Sequence, residues 1–484
     1  MKIKSIKLNF IMNFLLTASS ILFPLITFPY VSRVLGPTGT GNVTMGTSVV
    51  SYFTMVAMLG VPTYGVRACA SVRDNKVELS KIVQELLIIN IIMMLIAYIA
   101  FFITIFCVPS FRIMKTLYLM SSIAIVMNVI GVNWLYQGLE QYSYITFISL
   151  VFKVVALVLM FALVHKADDY IWYALITVIG GFGSSIFNFI RLRKLILLKP
   201  FQHYDFKRHI RPMFTFFAMT VATTVYTNLD VVMLGLMKSN YDVGLYNAAV
   251  KIKLIMVSLV TSLGTVLLPR ISYYYEQNQV KEFHNLISKV FSFVLLFAIP
   301  CCLYLMVFAK DTILFLSGKE FLEAVPAVII ITPTILLIGL SNITGIQVLV
   351  PTGKESLVLR SVVCGAVVDF VLNLMMIPKF GAAGAAFGTL AAELVVLIVQ
   401  CVYLKALLNQ IKTTIEWRCL FESLVPALLI LIGTYYLPIE SVFFRLLISG
   451  CLFFLVYGFG LLVTKEEILI SIFGKYWRKL KHER

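Results

Sequence analysis

The sequence predicts an all-α polytopic membrane protein of about fourteen transmembrane helices, because apolar runs of helical length recur from end to end. A hydrocarbon core about 30 Å thick takes about 20 residues of helix to cross, and the runs have that length. Composition agrees: 60% hydrophobic, 13% charged and a mean hydropathy of +0.95 are too apolar for a water-facing fold of 484 residues. Polar residues gather in short joints. Lipid offers a backbone no partners, so each run must close its own hydrogen bonds as a helix.

The first span is expected at 8–31. Lys2, Lys4 and Lys7 imitate the start of a secretory signal, yet the run is too long for an h-region and holds Pro24 and Pro29, so it reads as an uncleaved span. Spans at 42–61, 82–106, 117–135, 145–164, 170–190 and 213–236 follow. The second seven are 243–268, 290–308, 324–350, 357–377, 382–404, 421–437 and 442–463. The longest outward joint, 309–323, is too short to hide a catalytic domain.

Charge sets the expected orientation. The net charge of +17 would suggest nucleic acid in a soluble protein, but here Lys and Arg sit between the apolar runs. Threading the spans alternately puts Lys2, Lys4, Lys7, the joint from Arg67 to Lys81, the joint from Arg191 to Arg211 and the tail from Lys465 to Arg484 on one side. The other side holds few cations, among them Arg112, Lys115, Lys238 and Lys379. By the positive-inside rule both termini are cytoplasmic.

Two halves of the chain resemble each other. NVIGVNWLYQG, from Asn128 to Gly138, answers NITGIQVLVPTG, from Asn342 to Gly353, with Asn133 and Gln347 in register. Leu35 and Gly36 likewise answer Leu234 and Gly235, and Gly41 answers Gly244. A repeat of six spans starts twice on the same side, which makes the repeats parallel and leaves a cavity between two six-helix lobes. The expected parts are 1–204 and 205–410 as the lobes, and 411–484 as two further helices with a basic cytoplasmic tail.

Polar residues inside spans are the candidate functional groups. Asn247, Lys251, Ser258, Ser262 and Thr265 share one helical face, and a lysine at bilayer depth costs about 2.5–3.5 kcal/mol on insertion scales. A water-filled cavity is the favoured reason for Lys251, a structural ion pair the bland one. Thr220, Thr223, Thr227 and Asp230 form a similar stripe, as do Asn13, Thr17, Ser20 and Thr27, although such hydroxyls also bond to their own helix. Lys153, Asp369 and Glu393 are further intramembrane charges, open to inter-helix pairing or to substrate and ion handling. GAAGAAFG from Gly381 and GGFGSS from Gly180 read as close helix packing. All eight cysteines read as packing residues, and the five histidines fall in joints or the tail. No P-loop is present, so nucleotide hydrolysis by this chain is not expected, and no cofactor or metal is implied.

FPYVSRVLGPTGTG from Phe28, GVPTYGVR from Gly60, NLDVVMLG from Asn228, VGLYNAAVKI from Val243, LLPRIS from Leu267, GIQVLVPTGKE from Gly345 and NLMMIPKFGAAGAA from Asn373 resemble bacterial oligosaccharide flippases. These are the Wzx-type transporters of the multidrug, oligosaccharidyl-lipid and polysaccharide exporter superfamily. The resemblance covers the chain to about Leu404. It implies translocation of an undecaprenyl-pyrophosphate-linked repeat unit to the outer leaflet of the bacterial plasma membrane, for O-antigen, capsule or exopolysaccharide, with polymerase and assembly proteins as partners. It places cations at Arg33, Arg67 and Lys251 and an acid at Asp230. The expected substrate contacts are Arg33, Arg67, Lys153, Lys251 and Asn247, and the coupling-ion candidates are Asp230, Asp369 and Glu393. Competing readings are a multidrug or cation extruder, which should prefer an acidic cavity, a lipid II flippase, and a polysaccharide polymerase, which should carry a large outward loop.

Overall fold

The apolar runs fold as helices, and among the described residues of the computed structural model, 6–412 and 417–464, there is no strand. Twelve helices are long and apolar enough to cross a membrane, and the bent pair Lys319–Ile331 with Thr334–Leu349 makes a thirteenth if it is one span. The shortfall from fourteen arises at α1, Ile6–Met58, where the first and second expected spans are two helices that run together across a kink. Its kink lies at Gly36 (φ 64°, ψ −177°), a left-handed φ that favours glycine, followed by Pro37. The basic tail from Lys465 to Arg484, with Lys2 and Lys4, lies outside the described residues.

The chain packs as two compact units, Met1–Asn247 and Ala248–Arg484. The first contains α1, α2 (Val61–Ser71), α3 (Lys76–Cys107), α4 (Pro109–Ile113), α5 (Lys115–Gly131), α6 (Asn133–Gly138), α7 (Tyr142–Leu163), α8 (Tyr170–Phe182), α9 (Ser184–Leu195), α10 (Lys207–Met237) and the first turns of α11 (Asn240–Glu276). Asn75 starts α3 by accepting from the amides of Val77 and Glu78, which would otherwise be orphaned at the helix end. Leu79, Val83, Leu86, Trp134 and Tyr136 form one buried cluster, and Val31, Leu35, Ala156 and Met160 another.

Two glycines let α1 and α11 touch backbone to backbone. A Cβ on Gly41 would lie 1.7 Å from the Asn240 carbonyl oxygen, and one on Gly244 would lie 1.9 Å from that of Pro37. The contact is reciprocal: each glycine meets the residue four before the other. Segments related by a parallel repeat meet in that way, and these are the glycines the sequence pairs.

The long joint before α10 is fastened to α3. Gln84 donates to the carbonyls of Leu197 and Lys199 and accepts from Tyr204 Oη, while the Leu197 amide donates to Ser80 Oγ. The next residue, Glu85, with its side chain fully buried, accepts from Arg208 (2.6 Å) and the Asp205 amide (2.6 Å) and lies 2.8 Å from His209 Nε2. Arg208 also reaches Glu78, and Tyr64 Oη lies 2.8 Å from His209 Nδ1. His209, expected in a joint, is thus buried within α10. It completes a charged cluster in which each partner lowers the cost of desolvating the others.

The second unit holds the rest of α11, α12 (Val280–Val307), α13 (Ala309–Leu316), α14 (Val325–Ile331), α15 (Thr334–Asn342), α16 (Glu355–Phe380), α17 (Ala382–Tyr403), α18 (Lys405–Lys412), α19 (Trp417–Tyr435) and α20 (Val442–Val463). The joint at 309–323 is mostly helical, with Asp311 and Phe321 buried. The tenth expected span bends by 44° around Pro333, whose ring and missing N–H interrupt the helix. α16 and α17 form a tight hairpin because Gly384 admits the Met376 carbonyl, which a Cβ would meet at 2.5 Å. α20 is fastened to α12 and α13 by Tyr457 Oη to the Leu296 carbonyl, Tyr304 Oη to the Leu446 carbonyl and an Arg445–Asp311 pair at 3.2 Å. Cys107, Cys364 and Cys451 are exposed, so the packing role expected of all eight cysteines does not extend to them.

Candidate functional site

The helix interruptions fall where the sequence repeats itself. In the first unit the span expected at 117–135 breaks at Val132, which takes φ 40° and ψ 34° between α5 and α6, a strained geometry for a β-branched residue. In the second, α15 passes into a π-helical segment, Ile343–Leu349. These are the segments NVIGVNWLYQG and NITGIQVLVPTG. A Cβ on Gly131 would lie 2.6 Å from Ser185 Oγ, and one on Gly345 would lie 3.1 Å from Gln400 Nε2. The same glycine of each repeat therefore admits a polar side chain from a later helix of its own unit. Paired interruptions of this kind mark binding regions in repeat-built transporters.

Beside the first interruption lies a cavity of about 480 Å³, within the 300–1,000 Å³ range of ligand pockets. Nine of its sixteen lining residues carry a hydroxyl or carboxamide, and none carries a charge. α1 supplies Thr47, Ser51 and Thr54, α5 supplies Ser121 and Asn128, α8 supplies Thr177, and α10 supplies Thr220, Thr224 and Asn228. Thr47, Thr54, Thr177 and Thr220 spend their protons on their own helices, donating to the carbonyls of Val43, Val50, Ala174 and Phe216. Their oxygens remain acceptors. Ser121 differs: it is 1% exposed, and its Oγ has no hydrogen-bond partner among the described residues. Such a lining, polar groups set in a largely apolar wall, suits a neutral solute; an ion would leave water without a counter-charge.

This lining shares only Thr220 with the stripe read on α10. The cavity face is Thr220, Thr224 and Asn228, at i, i+4 and i+8, while Thr223 and Thr227 are exposed elsewhere. Asp230 is buried and accepts from Tyr246 Oη. The face of α1 was missed, although Thr47, Ser51 and Thr54 at i, i+4 and i+7 carried the signal.

None of the other sequence candidates lines this cavity. Arg33 and Arg67 are exposed on α1 and α2, with Arg33 also donating to the Pro29 carbonyl at 2.7 Å. Lys153 donates to Ser19 Oγ and Ser20 Oγ. Asn247 and Lys251 are half-buried, and no carboxylate lies within 4 Å of Lys251 among the described residues. Asp369 and Asn373 lie on the buried face of α16 with Ser361 and Gly365, and Gly388 of α17 leaves room for them: a Cβ there would lie 2.9 Å from Asp369 Oδ1. Glu393 is buried on α17 with Thr389 and Gln400, and Gln400 joins Thr344 of the π segment to Ser361 of α16. Gln347 packs against Gly264 of α11, so its carboxamide occupies the place of a Cβ.

Proteins that carry the name O-antigen transporter in Shigella dysenteriae and Escherichia coli are 25% and 26% identical, over 81% and 83% of this chain and 98% and 97% of their own lengths. Among solved structures, the lipid II flippase MurJ in an inward closed conformation matches with a TM-score of 0.73 at 16% identity, covering 96% of this chain and 99% of that one. An inward-facing multidrug resistance MATE family transporter matches with a TM-score of 0.60 at 14% identity, covering 81% and 95%. The second of two family matches, MatE, spans residues 216–375. The first covers residues 6–275, more than half of the 484, and the chain belongs to the polysaccharide biosynthesis protein family.

Proposed function

We propose that the chain is a flippase for lipid-linked glycans. It moves a polyprenyl-pyrophosphate-linked oligosaccharide from the cytoplasmic to the outer leaflet of a bacterial plasma membrane, by alternating access, for assembly of a surface polysaccharide. The observation that carries this reading is the uncharged cavity, in which hydroxyls, carboxamides and the unpartnered Ser121 hydroxyl are set among apolar side chains and can meet a glycan. A cation extruder needs an acid there, and the lining has none. The names of the long relatives and the flippase fold support the same class.

Arg33, Arg67 and Lys251 are assigned to the pyrophosphate and Asn247 to the sugar; Asp230, Asp369 and Glu393 are assigned to a coupling ion. With both termini cytoplasmic, moving negative charge outward through an inside-negative potential is favourable by about 2.3 kcal/mol per charge per 100 mV. Filling the cavity with Ser121→Leu plus Thr224→Met is expected to abolish surface polysaccharide while the chain still reaches the membrane. Lys251→Ala should do the same, and Lys251→Arg should retain part of the polymer because charge matters more than donor geometry. Normal polymer from the filled cavity contradicts the assignment. Loss of cationic dye efflux with polymer intact favours a multidrug extruder.

A further inference from the structure

Lys153 stands ten to eleven residues from either end of α7, about 15 Å of helix rise from each. Its Nζ donates to Ser19 Oγ at 2.7 Å and Ser20 Oγ at 2.9 Å on α1. Both serines donate their own protons to the Leu16 carbonyl, at 2.8 and 3.0 Å, so they meet the ammonium only as neutral acceptors. An ammonium has three protons. Among the described residues the third has no acceptor, and no carboxylate lies within 4 Å. The charge is held in place but not neutralised, at a depth where an isolated lysine costs about 2.5–3.5 kcal/mol.

Its surroundings indicate what it meets. Asn13, Thr17 and Ser20 are exposed at i, i+4 and i+7 of α1, a polar strip that ends at the ammonium. Leu150 and Leu157, three residues before and four after it on the same face of α7, are partly exposed and apolar. Hydrogen-bonding groups and a cation next to an apolar flank fit an anion carried on a lipid. A resting phospholipid keeps its phosphate at the surface, about 15 Å from the middle of a 30 Å core. The anion that reaches Lys153 is therefore one in transit. Resting on the flippase reading above, we propose that Lys153, held by Ser19 and Ser20, contacts the phosphate of the lipid-linked substrate as it passes mid-membrane.

The test is binding of a polyprenyl pyrophosphate without sugar to the purified full chain in neutral detergent, read as a ligand-dependent shift in thermal unfolding. Lys153→Met is expected to weaken binding about tenfold, the scale of one charge-assisted hydrogen bond, and Lys153→Arg to stay within about threefold of wild type. Phosphatidylglycerol at equal concentration should not compete. Should Lys153→Met fail to fold, the double variant Ser19→Ala, Ser20→Ala keeps the ammonium but releases its position, and about threefold weaker binding is expected. Unchanged binding in Lys153→Met, or in the double serine variant, reduces the lysine to a tie between α1 and α7. Equal competition by phosphatidylglycerol makes it a contact for resting lipid and overturns the proposal. If wild type itself binds no polyprenyl pyrophosphate, the flippase reading fails as well; if wild type binds and Lys153→Met matches it, only this assignment fails.

Discussion

Gly41→Ala is expected to leave almost no folded chain. The new Cβ would stand 1.7 Å from the Asn240 carbonyl oxygen and 2.8 Å from the Gly244 nitrogen, and both neighbours are backbone that no rotamer change can move aside. Relief requires α1 and α11 to separate, which also breaks the Asn240 Nδ2 to Asn42 Oδ1 hydrogen bond of 2.9 Å. The cost should exceed the 1–3 kcal/mol typical of overpacking, out of a total stability of about 5–15 kcal/mol. Gly244→Ala meets the Pro37 carbonyl at 1.9 Å and should behave alike. Gly181→Ala is the control: nothing lies within 4 Å, and alanine should stabilise the helix by about 0.5–1 kcal/mol. Recovery of monodisperse protein in detergent and the thermal midpoint read all three. A wild-type midpoint for Gly41→Ala would show that the crossing is looser than described.

Glu85→Ala is expected to destabilise the first unit by about 3–5 kcal/mol, the scale for removing one member of a buried ion pair. The substitution strands the Asp205 amide and takes Glu85 from His209 Nε2, while Arg208 keeps the half-exposed Glu78 and the His209 ring. Adding Arg208→Met should then cost less than it does alone, because the cation it removes has already lost its buried partner. Glu422→Ala, which breaks an exposed i,i+4 pair with Arg418, should change nothing measurable. Additive losses from Glu85→Ala and Arg208→Met would contradict the cluster.

Local hydropathy made most spans legible, because crossing a membrane is a property of twenty consecutive residues. Where one helix ends and the next begins was less so. Gly36 was visible as a break, but whether the chain turns there or bends within one helix depends on what α1 packs against. The repeat located Val132 and the π segment without revealing them, since αL and π geometry leave no periodic mark in side-chain order. On α10, period counting picked out Thr223 and Thr227 but not Thr224 and Asn228, which line the cavity; neighbouring faces of one helix are told apart only by what covers them. The Glu85–Arg208–His209 cluster joins residues more than 120 positions apart, and a basic joint gave no hint of buried acids facing it.

Transbilayer movement in proteoliposomes tests the flippase claim most directly. A polyprenyl-pyrophosphate-linked oligosaccharide with a fluorescent sugar is placed in the inner leaflet, and its arrival outside is read with an impermeant quencher. Wild-type vesicles are expected to expose the label with time, and faster under an imposed potential that favours outward movement of negative charge. Vesicles with Ser121→Leu plus Thr224→Met should match protein-free liposomes. The account is contradicted if correctly folded wild-type chain exposes the label no faster than empty liposomes, or if the filled cavity moves it at the wild-type rate.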